Sequence, residues 1–126
     1  MTRPLLEDSR VHPSVRDRLA QFHPEVIAEV AAAVQREAVV VVGMRQNPFP
    51  RKARRLLDAA GVRHTYLEYG SYFSGWKPRL ALKMWAGWPT FPMIFVQGQL
   101  IGGADDLARF DLKALAGGRL QAVAGA

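Results

Sequence analysis

Cysteine is absent from this chain of 126 residues. That absence removes disulfides, thiolate nucleophiles, thiolate zinc sites and iron–sulfur ligation by the chain's own sulfur. Histidine is scarce. The three histidines, His12, His23 and His64, lie far apart and lack the spacing of metal ligands, so no metal site is expected. No apolar run approaches the roughly 20 residues that span a bilayer. The start, Met1-Thr2-Arg3-Pro4-Leu5-Leu6-Glu7-Asp8, has no basic flank leading into an apolar stretch. A secretory signal and a membrane partner are therefore not expected, and the cytoplasm is the default location. Internal repeats and low-complexity segments are also missing.

What is present is ordinary for one globular domain: 49% hydrophobic and 22% charged residues, long enough for a single core but not for two. The charge is lopsided, with 17 Lys and Arg against 11 Asp and Glu and a net charge of +6. Such a balance favours anionic partners. No basic-and-aromatic module of a nucleic-acid binder is visible, which argues against nucleic acid.

Residues 1–11 read as a loose tail. Two short helical patterns follow, each opened by a His-Pro pair, His12-Pro13 and His23-Pro24, because proline fits the first helical position. In the second, Val26, Ile27, Val30 and Val34 recur at helical spacing, and this helix should pack on the sheet edge or lead into the first strand. Val39-Val40-Val41-Val42 is apolar at every position and predicts a strand buried on both faces. Next comes a helix with Ala53, Leu56, Leu57 and Ala60 inward and Arg51, Lys52, Arg54 and Arg55 outward, closed by Gly61. Val62–Glu68 predicts a second strand, and a helix around Arg79–Trp85 leads to a third strand over Pro92–Val96. Gln97-Gly98-Gln99 turns the chain into a fourth strand at Leu100-Ile101, forming a hairpin. A last helix is expected from Ala104 to Ala116, ended by Gly117-Gly118. The order is that of an α/β sandwich.

Three motifs carry a family likeness. Asn47-Pro48-Phe49-Pro50-Arg51-Lys52 sits where the first strand meets its helix. Arg79 is followed by Lys83-Met84-Trp85-Ala86-Gly87-Trp88-Pro89-Thr90-Phe91-Pro92, and then by Ile101-Gly102-Gly103-Ala104-Asp105-Asp106-Leu107. In order and spacing they resemble the glutaredoxin family, closest to the monothiol type with a C-G-F-S motif, and the redox motif is replaced here by N-P-F-P. The resemblance covers residues 39 to about 120 and implies a thioredoxin-like fold of glutaredoxin type. That fold has a central four-stranded mixed sheet flanked by helices. Residues 1–38 would form an N-terminal helical extension and residues 39–126 the glutaredoxin-like domain.

The resemblance also implies a glutathione site at Arg79, Thr90, Phe91, Pro92, Gly103, Ala104 and Asp105. In the family the proline matching Pro92 is cis, and the backbone of the preceding residue, here Phe91, pairs with a peptide-like ligand. The backbone of Ala104 and Asp105 would receive the γ-glutamyl carboxylate and the Asp105 side chain its ammonium, although Asp105 could equally cap the helix. Arg79 matches an arginine that meets the glycyl carboxylate, a task suited to a planar guanidinium; the alternative is an arginine turned to solvent.

At the thiol position stands Asn47, so no catalytic residue is assigned. Asn47-Pro48 reads as an N-cap followed by a first-turn proline, and Pro48 and Pro50 both lack the N–H that would help hold a thiolate. Met44 falls where many relatives carry a lysine. Tyr69-Gly70-Ser71-Tyr72-Phe73-Ser74-Gly75-Trp76 replaces a usually polar connection, and either packs over the sheet or forms a contact surface. Three functions fit: a non-catalytic module binding glutathione or an anionic peptide or protein; a protein-interaction domain with a vestigial groove; or a glutathione-dependent oxidoreductase or transferase using glutathione's own thiol. An iron–sulfur cluster held by the protein's own ligands is not expected.

Overall fold

The computed structural model describes residues 2–116. A 3-10 turn, Asp8–Arg10, and helix α1, Pro13–Ala20, precede helix α2, Pro24–Arg36. Then come strand β1 (Val39–Gly43), α3 (Pro48–Ala59), β2 (Thr65–Glu68), α4 (Trp76–Ala86), β3 (Met93–Val96) and β4 (Gln99–Gly102). Two short helices, α5 (Ala104–Leu107) and α6 (Leu112–Ala116), complete the described chain. Among these residues no helix is long and apolar enough to cross a membrane.

The four strands form one mixed sheet in the order β2-β1-β3-β4, with β1 parallel to β2 and β3 antiparallel to both β1 and β4. The unbroken valine run explains β1's central place, since its side chains alternate between two covered faces. Val39 and Val41 join Ala53 and Leu57 of α3, Ala104 and Leu107 of α5 and Leu115 of α6 on one face. Val40 and Val42 join Val30 and Ala33 of α2, Leu82 of α4, and Met93 and Phe95 on the other. Helix α2 thus lies on a sheet face beside α4, and its end feeds directly into β1.

Two expected boundaries shift. The second strand starts at Thr65, because the N–H of Val62 instead closes α3 on the carbonyl of Leu57 at 2.9 Å. The single last helix expected over Ala104–Ala116 is two helices. Asp111 breaks it: its carboxylate accepts from the N–H of Ala114 at 3.1 Å, and its carbonyl accepts from Leu115 at 3.0 Å, so a new helix begins there. The expected stop at Gly117-Gly118 lies outside the described residues.

Topology now gathers the chemistry. The C-terminal ends of β1, β2 and β4 and the N-terminal end of β3 meet at one end of the sheet. Residues 44–47, 69–75, 91–92 and 103–106 therefore converge there, although they come from four separate stretches of chain.

Candidate functional site

At that end a groove of about 520 Å³ is lined by fifteen residues, among them Arg79, Thr90, Phe91, Pro92, Gly103, Ala104 and Asp105. All seven residues named for the site from sequence therefore share one cavity. Asn47, Met44, Phe49, Tyr72, Lys83, Trp88 and Asp106 complete most of its wall.

The floor is set by α3's entry. Asn47 caps the helix, its Oδ1 accepting from the N–H of Phe49 at 2.9 Å. Its Nδ2 donates to the carbonyl of Phe91 at 3.4 Å, tying the helix start to the Phe91-Pro92 segment, whose peptide bond is cis. Pro48 and Pro50 carry no N–H. Of the first three helical positions, then, two lack a donor and the third is satisfied by Asn47. Pro50 is fully buried against Gly43, where a Cβ would fall 2.8 Å from the proline's own Cβ and 2.9 Å from the ring of Tyr66. Glycine at the end of β1 is what lets this proline pack so close. Met44 is buried beneath the groove, at 7% exposure.

Arg79 is also buried, at 8% exposure, so the solvent-facing alternative does not hold. Its Nη1 donates to the carbonyls of Tyr69 at 3.1 Å and Ser74 at 2.7 Å. No carboxylate pairs with it among the described residues. A buried guanidinium with neutral acceptors and no counter-ion is costly. Trp88 presents a second loose end: its Nε1 is buried without a hydrogen-bond partner.

The aromatic loop is built on Arg79. Ser71 and Ser74 pair across a tight turn, with the N–H of Ser71 donating to the carbonyl of Ser74 at 2.9 Å. Gly70 takes φ +68°, and a Cβ there would fall 2.3 Å from the Ser74 carbonyl oxygen and 2.6 Å from Nη1 of Arg79. Beyond Tyr69 the loop's aromatics do not pack over the sheet. Tyr72 and Trp76 are each 61% exposed and Phe73 89%, while Tyr72 turns one side to the groove. Tyr69 alone of the loop's aromatics packs, partly buried, against the core on the α2–α4 face, and its hydroxyl donates to Glu29 of α2. Burial, then the Glu29 hydrogen bond and charge, push the Tyr69 hydroxyl above its ordinary range. Tyr66 is raised to about 12, chiefly by burial and then by Glu68, against the opposing charges of Arg54 and Arg51.

On the opposite wall, Gly102 takes φ +113° and leads into α5. The helix cap belongs to Asp106 and not to Asp105: Asp106 Oδ2 accepts from the N–H of Gly103 at 2.9 Å. Asp105 is left exposed, its carboxylate 3.3 Å from Nζ of Lys52. Sequence reading missed Asp106, Lys52, Lys83 and Trp88. Asp106 stands at the third helical position, where a capping carboxylate reaches back, and Lys83 lies one turn after Arg79 on α4. Lys52 and Trp88 carry no comparable local signal, since their roles depend on contacts across the fold. Among the described residues no group of three His, Asp or Glu side chains is placed to hold a metal ion.

The Glutaredoxin family model matches residues 39–101. A glutaredoxin-like protein of Dictyostelium discoideum is 47% identical over 93 residues, covering 74% of this chain and 76% of the relative. A probable monothiol glutaredoxin of Legionella pneumophila is 35% identical over 65 residues, 52% of this chain and 70% of the relative. Among solved structures, wheat glutaredoxin superposes with a TM-score of 0.62 at 26% identity over 79% of this chain and 97% of its own. A buckwheat glutaredoxin–glutathione complex superposes at 0.61 and 22% identity over 81% and 96%. On the family-model match and the Dictyostelium relative, the chain belongs to the glutaredoxin family, and it does so without a cysteine.

Proposed function

We propose that the protein is a non-catalytic glutathione-binding module whose groove holds the tripeptide without exchanging sulfur with it. The observation that carries this reading is Arg79, buried at 8% exposure on the groove wall with no carboxylate to balance it. A ligand carboxylate would supply the missing counter-charge. The partnerless Nε1 of Trp88 on the same wall favours a ligand rich in acceptors. At the other end, the exposed Asp105 carboxylate suits an ammonium, and Thr90, Phe91 and Pro92 offer backbone between the two. Glutathione carries these groups in that order, and the buckwheat relative is known as a glutathione complex. Without a cysteine the chain has no thiol of its own for disulfide exchange.

Calorimetric titration with reduced glutathione and with its glycyl ethyl ester tests the reading. The ester lacks the carboxylate assigned to Arg79 and should bind at least about tenfold more weakly, the scale of a lost charge-assisted hydrogen bond. Equal affinity for both would remove Arg79 from the site.

A second reading has its own observation. Tyr72, Phe73 and Trp76 are exposed together on a loop whose carbonyls Arg79 binds, which favours a protein contact there. Pull-down by the native chain and not by a Trp76→Ser chain tests it.

A further inference from the structure

Neither the Asn47 side chain nor the first turn of α3 presents the groove with an array of donors for a thiolate. The Asn47 carboxamide is committed at both ends, to the Phe49 N–H and to the Phe91 carbonyl. The first helical turn behind it offers no spare donor to a thiolate, because Pro48 and Pro50 have none and Phe49 is capped. Beside the polar lining, with Lys83 Nζ 5.9 Å over the Phe91 ring, the groove carries apolar surface on Met44, Phe91, Pro92, Phe49 and Tyr72. These last two keep 50% and 61% of their surface open to water. An unsubstituted thiol would leave both uncovered.

We propose that the groove takes glutathione S-conjugates, thioethers bearing an apolar substituent on sulfur, in preference to glutathione itself. This rests on the glutathione reading above and adds the identity of the ligand's sulfur end. Arg79 and Asp105 hold the ionic ends of the peptide, while the substituent lies over Asn47 and covers Phe49 and Tyr72. The ligand's sulfur has no lone thiol proton to give up and no partner to exchange with, so the conjugate leaves unchanged.

The experiment is calorimetric titration of the full chain with glutathione and with S-hexylglutathione, repeated on a Phe49→Ala/Tyr72→Ala chain. S-hexylglutathione should bind at least about tenfold tighter, a gain that burial of about two methylenes supplies. In the double variant that advantage should vanish. Both side chains are exposed, so the variant is expected to fold, and circular dichroism checks that it does. Glutathione binding with no gain from the hexyl group overturns the conjugate assignment alone, as does an advantage that survives both substitutions. Failure of both ligands to bind overturns the glutathione reading along with it.

Discussion

Asn47 decides what chemistry the start of α3 can offer. It stands at the mouth of α3 with both ends of its carboxamide bonded, a structural strut between helix and cis-proline segment. Placing cysteine there would not create an activated thiol. A thiolate is normally stabilised by backbone donors in the first helical turn, and Pro48 and Pro50 have removed two of them. The Asn47→Cys chain is predicted to carry a thiol that titrates near the ordinary value of about 8.5 and to reduce hydroxyethyl disulfide with glutathione scarcely above background. Titration followed by thiolate absorbance checks the first, a coupled assay the second; a thiol titrating below about 7 would show that the prolines matter less than argued. Asn-Pro at a helix start is readable from sequence alone. The burial of Pro50 on Gly43 is not, because it depends on how β1 and α3 cross.

At the scale of elements, the loop over residues 69–76 and helix α4 form one unit. Arg79 of α4 takes two loop carbonyls, and Gly70 and Gly75 adopt left-handed backbone to let the guanidinium in. Gly70→Ala should destabilise the fold by about 1–3 kcal/mol, because its Cβ would meet both the Ser74 carbonyl and Arg79. Urea unfolding measures it, and no loss would mean the loop rearranges freely. Tyr69 and Tyr66 hold their protons more tightly in the folded chain than an unfolded tyrosine does, with Tyr66 at about 12. Their contribution to stability is complete below about pH 10, the unfolded value, and is lost as pH rises through the folded values. Unfolding free energy should therefore fall between about pH 10 and 12, and Tyr69→Phe should flatten that fall; an unchanged slope would detach Tyr69 from it. The Lys52–Asp105 pair spans α3 and α5 but is exposed on both sides, and adds little to stability.

Element by element, the sequence was legible where periodicity and turn chemistry are strong. The valine run, the proline-led helices and the Gln97–Gln99 turn read directly, since each is decided by neighbours along the chain. The last helix misled because its apolar residues continue through Asp111, whose capping role competes with helix continuation only once the backbone turns. The aromatic loop was ambiguous for a different reason. Composition cannot tell packed from exposed aromatics; the buried guanidinium of Arg79, which props the turn outward, decides it.

For the whole molecule, the mixed sheet explains why seven proposed site residues spread from 79 to 105 share one groove: strand directions bring the segments that carry them to one end. The seven were named through family motifs, and folding supplied what motifs do not carry, namely that Arg79 is buried without a counter-ion. The net charge of +6 favours anionic ligands for the molecule as a whole. This groove is proposed to bind glutathione in a chain that has no thiol. Titration of isotope-labelled protein with reduced glutathione, read by backbone amide shifts, tests it most directly. Saturable changes clustered at Arg79, Phe91, Gly103, Ala104 and Asp105 are predicted; an unmoved spectrum at millimolar glutathione would contradict it.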